Sequence, residues 1–302
     1  MLKTLKAGVW FTSAGLPVYA IGVGKKHVIV NLWHGVPLKR IALCEENVSL
    51  IARLYFRKVF SDNYKYIVTT SENLIHIMAN SFEVEKNKVK VWGQPRNDML
   101  LQPDLWIESL EEIVPNIKKY KKAIIYAPTY RDDKKTKWFN FQDFDINVLK
   151  TYLKENGILL CLRAHLEDEG LYGVCDGDNI IDLSSKVIDD ITSYLYLFDM
   201  LITDYSSMYI DYLLLDRPMI FLPYDKEEYL LSRGMNFEYD AVTPGAKPSN
   251  FKEFLNEIDK GLFGKDIYIK EREKVNYFFN QVHVPSSENI CKIIFEEMKE
   301  IG

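Results

Sequence analysis

A chain of 302 residues has room for two domains. Its 47% hydrophobic and 27% charged content excludes a disordered or fibrous protein, and its formal net charge of -5 excludes a general nucleic-acid binder, which would carry a strongly basic face. Cys44, Cys161, Cys175 and Cys291 are widely scattered, with neither a CxxC pair nor zinc-ligand spacing to the five histidines, so they read as reduced thiols of a cytosolic protein.

The opening stretch to Gly24 is mildly apolar but broken by Gly, Pro and Ser, and has no signal-peptide core. No apolar run reaches the roughly 18 residues of a membrane span, so the chain is expected to lie against a membrane at most. His27 to Trp33, Tyr66 to Thr70 and Val89 to Trp92 predict strands, with a helix from about Glu46 to Phe60 between the first two. That helix carries an apolar face (Leu50, Ile51, Leu54, Tyr55, Val59) beside Arg53, Arg57 and Lys58. The pattern suits an interfacial helix, although the core face of a crossover helix is the preferred reading.

Pro103 to Lys122 is helical in pattern, charged, and ends in KKYKK; the domain boundary is placed there, giving domains 1–115 and 116–302. Beyond it, Ala123 to Ala127, Ile158 to Arg163, Asn179 to Leu183, Met200 to Thr203 and Pro218 to Leu222 predict five more strands. Phe251 to Phe263, Ile267 to Phe279 and Ser286 to Glu300 predict helices, one of which could cross back to brace the first domain. Strands alternating with helices predict an α/β fold with parallel sheets.

Four segments carry candidate chemistry, each at a strand end, where open parallel sheets bind ligands. In Trp33-His34-Gly35-Val36-Pro37-Leu38-Lys39, His34 is suited to take a proton from a hydroxyl, while Gly35 permits close backbone approach; a histidine satisfied within the turn is the equal alternative. In Tyr126-Ala127-Pro128-Thr129-Tyr130-Arg131-Asp132, the Thr129 hydroxyl and the Arg131 fork suit phosphate oxygens, against a reading of loop punctuation and a solvated arginine. Asp132-Asp133 fits a metal or a helix cap, and no metal is expected. In Leu162-Arg163-Ala164-His165, alternation places Arg163 and His165 on one side, as a cationic pair or as a surface arginine beside a core-edge histidine.

The fourth segment, Thr203-Asp204-Tyr205-Ser206-Ser207-Met208-Tyr209-Ile210-Asp211, is the most specific. With a helix starting at or near Tyr205, the hydroxyls of Ser206 and Ser207 and the first-turn amides would converge on an anion. Asp204 as an ordinary N-cap is the alternative. Neither a GxGxxG nor a P-loop nor a GxSxG elbow occurs in the right context, which counts against dinucleotide oxidoreduction, P-loop hydrolysis and α/β-hydrolase chemistry.

Taken together and in this order, WHGxPLK, YAPT(W/Y)R, RxH and TDYSS resemble the CDP-glycerol glycerophosphotransferase family of teichoic-acid and capsule-polymer biosynthesis. Asp216 to Leu222, Tyr224-Asp225, Arg233-Gly234, Pro244-Gly245 and Ser286-Ser287-Glu288 extend the resemblance, which covers roughly Val28 to Ile294. It implies a GT-B-like fold of two Rossmann-like domains facing across a cleft, the first an abbreviated acceptor-side domain and the second the nucleotide-donor domain. It implies transfer of glycerol phosphate from CDP-glycerol to a hydroxyl of a glycerophosphate or glycan acceptor, with release of CMP. His34 and His165 would be catalytic. Thr129, Arg131, Arg163, Asp204, Ser206, Ser207 and Asp211 would serve the donor, and Gly35 and Lys39 the acceptor side, with no cofactor or protein-bound metal. Expected partners are a nucleotide-activated donor and a polyol-phosphate or glycan acceptor, with a membrane surface and a homo-oligomer open and nucleic acid excluded. A CDP-ribitol or UDP-sugar transferase and a non-catalytic partner subunit are the competing readings.

Overall fold

The structure is a computed structural model that describes residues 2–19, 21–103, 114, 117–129, 138–164, 174–175 and 178–301. Its contacts divide the chain into two units: Met1–Asp98 with Lys226–Val242 and Asn276–Gly302, and Met99–Asp225 with Thr243–Val275. The cut expected between 115 and 116 lies outside the described residues.

The first unit is built on four parallel strands in sequential order: β1 (Val9–Thr12), β2 (Val28–Asn31), β3 (Tyr66–Thr69) and β4 (Val89–Val91). β1 is a strand that the sequence reading missed. It is a four-residue edge strand, paired only with β2 from Val9↔Val28 to Thr12↔Asn31, and it buries Trp10 while leaving Phe11 exposed. So short an element amid Gly, Ser and Pro has too little apolar alternation to stand out locally; pairing with β2 makes it a strand.

One face of this sheet packs Ile29 and Ile67 against Met78, Ala79 and Phe82, the latter three on the helix Ile75–Phe82. The other packs Val30 and Val68 against Ile290 and Ile294 of the helix Ser287–Ile301. Strands whose alternate residues are buried on both faces read as continuous apolar runs, as these do. The late Ser286-Ser287 pair begins that C-terminal helix. Asp98 holds it there: Oδ1 accepts from the Ser286 amide (2.7 Å) and hydroxyl (3.1 Å), and Oδ2 from the Ser287 amide (2.9 Å).

The helix expected over Glu46 to Phe60 is shorter. It runs from Leu50 to Phe56, capped by the Ser49 hydroxyl on the Ala52 amide, and relaxes into one π turn at Arg57–Ser61. The preferred core-face reading of its apolar stripe is corrected. Leu50, Ile51, Leu54 and Tyr55 are 79%, 82%, 61% and 56% exposed, and only Val59 of the five is buried.

The second unit carries five parallel strands: β5 (Lys122–Ala127), β6 (Ile158–Leu162), β7 (Ile180–Asp182), β8 (Met200–Thr203) and β9 (Met219–Phe221), ordered β7-β6-β5-β8-β9. The order reverses between β5 and β8, so the carboxyl ends of those two strands flank the switch point where ligands bind in doubly wound sheets. Ile124, Leu160 and Ile202 from the strands pack with Leu149 and Leu153 of the helix Ile146–Asn156 and Phe254 and Ile258 of the helix Phe251–Leu262. The Asp216-Arg217-Pro218 run before β9 is structural. Arg217 donates to the Tyr196 (2.6 Å) and Phe198 (2.7 Å) carbonyls, and Asp216 accepts from the buried Arg272 (3.0 Å).

Replacing Asp98 by Ala removes the three bonds that start the C-terminal helix. The expected loss is about 1–2 kcal/mol, the usual worth of an N-terminal cap, read as a lowered urea midpoint at unchanged m-value.

Candidate active site

In the first unit the chain leaves β2 through a strained turn. Trp33 has a φ of 57°, in the left-handed region, and Gly35 a φ of 153°. A side chain at position 35 would strain the backbone, which explains a glycine at that point of WHGxPLK. The Trp33 amide donates to Asn31 Oδ1 (2.8 Å), and its ring lies 4.0 Å from the His34 ring and edge-on to Phe82.

His34 is exposed, and its Nδ1 lies 2.7 Å from the carbonyl oxygen of Ser13, just past β1. A carbonyl can only accept, so Nδ1 carries a proton, and the neutral form of the ring has its lone pair on Nε2. That tautomer is the one a general base acting through Nε2 requires.

From Gly35 to Leu38 the segment is buried, and it is pinned through Lys39. Val36 and Leu38 are in the core, Asn236 Nδ2 donates to the Pro37 and Lys39 carbonyls (both 2.8 Å), the Asn236 amide donates to the Leu38 carbonyl (2.9 Å), and Lys39 bridges to Met235. Lys39 Nζ sits 5.1 Å over the Tyr229 ring. Gly234 follows from the same contact: its φ is 65°, and a Cβ there would come 2.9 Å from Arg40. The resemblance at Arg233-Gly234 therefore marks the strip that holds the WHGxPLK loop.

In the second unit the ends of β5 and β8 are tied together across the switch point. Thr203 Oγ1 donates to the Ala127 carbonyl (2.7 Å), and Asp204 Oδ1 accepts from both the Thr129 amide (2.7 Å) and the Tyr205 amide (2.6 Å). Asp204 is 2% exposed, so its carboxylate is turned inward onto backbone rather than toward solvent. Tyr205 is also buried and donates to Asp225 (3.0 Å).

The helix expected from about Tyr205 starts later, at Met208, and runs to Tyr212. The physical reason is local: Asp204 holds the Tyr205 amide in a non-helical arrangement, and Ser206 Oγ accepts from the Met208 amide two residues on (3.3 Å), a turn that competes with helix. Ser206 and Ser207 are half-buried on this loop. Asp211 is 1% exposed on the helix, so its side chain is buried.

Arg163 is also committed to backbone. It donates to the carbonyls of Leu183 (3.0 Å), Ile188 and Asp189 (2.8 Å), binding the loop after β7. Burial holds its pKa below the usual guanidinium value, with Asp190, Asp189 and Asp182 pulling the other way. The expected cationic pair with His165 is not formed from described residues, because His165, like Arg131, Asp132 and Asp133, lies outside them. Thr129 and Asp204 are joined by a hydrogen bond, with Ser206 and Ser207 following Asp204 on the same loop; Arg163 binds a neighbouring loop.

Residues absent from the sequence reading also shape the site. Ser13, Asn31, Gln94 and Arg96 converge on the turn after β2, Gln94 Nε2 donating to the Leu32 carbonyl (3.1 Å) and Arg96 to the His34 carbonyl. The Gly93-Gln94-Pro95-Arg96-Asn97 run, one residue beyond β4, was the available signal, since it too sits at a carboxyl end of this sheet.

The Asp204 clamp is open to test. Asp204→Ala leaves one buried and one half-buried amide without their acceptor and is expected to cost about 1–3 kcal/mol by urea unfolding, with Asp204→Asn, which keeps an acceptor oxygen, losing less.

A family model, CDP-Glycerol:Poly(glycerophosphate) glycerophosphotransferase, matches residues 1–296. The chain is 30% identical over 304 residues to the teichoic acid glycerol-phosphate transferase of Staphylococcus aureus, covering 96% of this chain and 77% of the relative. It is 31% identical over 265 residues to the teichoic acid poly(glycerol phosphate) polymerase of Bacillus subtilis, covering 84% of this chain but only 35% of that longer protein. Among solved structures, the wall teichoic acid polymerase TagF superimposes with a TM-score of 0.76 at 26% identity, over 97% of this chain and 74% of that one. A TagF variant soaked with CDPG gives 0.77 at 25% identity over the same shares. The α/β architecture with two parallel sheets is thus of the GT-B-like kind expected. With a family match across nearly its whole length and relatives whose names agree with it, the chain belongs to the CDP-glycerol:poly(glycerophosphate) glycerophosphotransferase family.

Proposed function

We propose that this protein transfers glycerol phosphate from CDP-glycerol to a hydroxyl of a glycerophosphate or glycan acceptor, lipid-linked in the cell, in teichoic acid or capsule biosynthesis. The observation that carries the reading is the pair of hydroxyl-bearing loops joined by Asp204 at the switch point of the second unit. We assign the donor's diphosphate to the hydroxyls of Thr129, Ser206 and Ser207 and to the backbone amides of the two serines. Arg131, which follows β5 in sequence, and His165, which follows β6, supply the cationic charge. Asp204, Arg163 and Asp211 support those loops from behind, consistent with their inward-turned or backbone-bound side chains.

The chemistry needs one proton acceptor and an in-line displacement. The acceptor hydroxyl oxygen bonds to the β-phosphorus of CDP-glycerol, the bond from that phosphorus to the bridging oxygen breaks, and CMP leaves. The hydroxyl proton passes to Nε2 of His34, whose lone pair the Ser13 carbonyl keeps available. Gly35 and Lys39 belong to the acceptor side. Charge stabilisation by hydroxyls, amides and cations does the remaining work.

A membrane surface as second partner is favoured by the exposed stripe Leu50, Ile51, Leu54 and Tyr55, which stands beside Arg57 and Lys58. Among the described residues no helix is long and apolar enough to cross a membrane. We assign the protein to the inner face of the cell membrane, held peripherally by this helix.

Purified protein given CDP-glycerol and a short glycerophosphate primer should release CMP, and His34→Ala should slow that release by about 100-fold or more. Equal or better turnover with CDP-ribitol or UDP-sugars would redirect the donor assignment, and nucleotide binding without turnover of any donor would point to a partner subunit. In flotation with anionic liposomes, the wild type should rise with the vesicles and the double variant Leu50→Glu, Ile51→Glu should stay below; wild-type protein left at the bottom removes the membrane reading.

A further inference from the structure

Trp33 is a bulky residue in left-handed backbone (φ 57°), a conformation that persists only where its surroundings over-determine it. Three contacts do so. Asn31 Oδ1 takes the Trp33 amide at 2.8 Å, Arg96 donates to the His34 carbonyl, and the Trp33 ring is wedged between the His34 ring and Phe82. The result is one orientation of the His34 ring, with Nδ1 on the Ser13 carbonyl.

Asn31 is retained here against its own cost. It is fully buried at the end of β2, and among the described residues its carboxamide nitrogen makes no hydrogen bond. Its cross-strand neighbour Thr12 likewise has a buried hydroxyl without a partner. A buried unpaired N–H group is unfavourable, and an apolar residue at the end of an otherwise apolar strand would avoid it. What an apolar residue could not do is accept the Trp33 amide. Stability has been given up at the point where the strand hands the chain to His34, as happens where local rules yield to a site.

We propose that Asn31 and Arg96 are positioning residues: acting through the main chain of Trp33 and His34, they lock the His34 ring into its Nδ1–H tautomer, with Nε2 presented as the base. The catalytic use of that lock rests on the reading of His34 as general base; the lock itself does not.

The test uses the full chain labelled with 15N-histidine. Long-range 1H–15N spectra report which ring nitrogen of each neutral histidine is protonated, and the His34 signals are those lost in His34→Asn. The wild type is expected in the Nδ1–H form. Arg96→Gln and Asn31→Val are expected to move His34 toward the Nε2–H form and to lower kcat for CMP release by about tenfold or more, leaving KM for CDP-glycerol within about twofold, because misalignment of a base is felt in the chemical step. Asn31→Asp keeps the acceptor oxygen and Arg96→Lys keeps a donor, so both should recover part of the tautomer and part of kcat. They decide the matter if either stronger variant fails to fold. A wild-type His34 in the Nε2–H form, or variants that keep both the Nδ1–H form and wild-type kcat, overturns the proposal. A wild type that shows the lock yet releases no CMP supports the lock and removes the base reading, so the two failures are separable.

Discussion

Parallel strands deliver all their carboxyl ends to one edge of a sheet, and the loops that leave that edge must be fastened to something. In the second unit the fastening is the single oxygen Asp204 Oδ1, which takes two backbone amides, one from its own loop and one from the loop after β5. With Thr203 bonded to the Ala127 carbonyl, it ties the YAPT and TDYSS loops together at the switch point. A buried carboxylate is tolerable because its charge is met by these N–H dipoles. The hydroxyls of Ser206 and Ser207 take their places between that anchorage and the first turn of the helix Met208–Tyr212, whose N-cap position Ser207 occupies.

The first unit solves the same problem in another way. The exit from β2 is held by groups from three directions: the Ser13 carbonyl beyond β1, Gln94 and Arg96 beyond β4, and Asn236 on the returning segment. Most of these contacts are to backbone, which fixes the path of the chain and lets His34 stay exposed while its ring orientation is set. Preorganisation of this kind costs stability, visible in the positive φ of Trp33 and the unpartnered carboxamide nitrogen of Asn31.

Several of the segments that mark the family turn out to be structural. Asp216-Arg217 binds Arg272 and two carbonyls, Ser286-Ser287 starts a helix on Asp98, and Gly234 makes room for Arg40 beside the WHGxPLK loop. Arg163, which looks like a phosphate ligand in isolation, ties down the loop after β7. Polar residues near a site are often consumed by its loops, whose buried backbone groups all need partners.

The sequence by itself determined the fold class, eight of the nine strands among the described residues, and the strand-end positions of His34, Thr129, Ser206 and Ser207, because apolar runs and strand-end motifs are local properties of the chain. Tertiary structure decided the rest. β1 exists because β2 pairs with it; Leu50 and Ile51 face solvent because, among the described residues, nothing packs over that side of their helix; Asp204 and Arg163 face inward because amides and carbonyls distant in sequence meet them there. The tautomer of His34 belongs to the same class. It depends on a carbonyl 21 residues away, brought within 2.7 Å by a strand pairing that no local pattern announces.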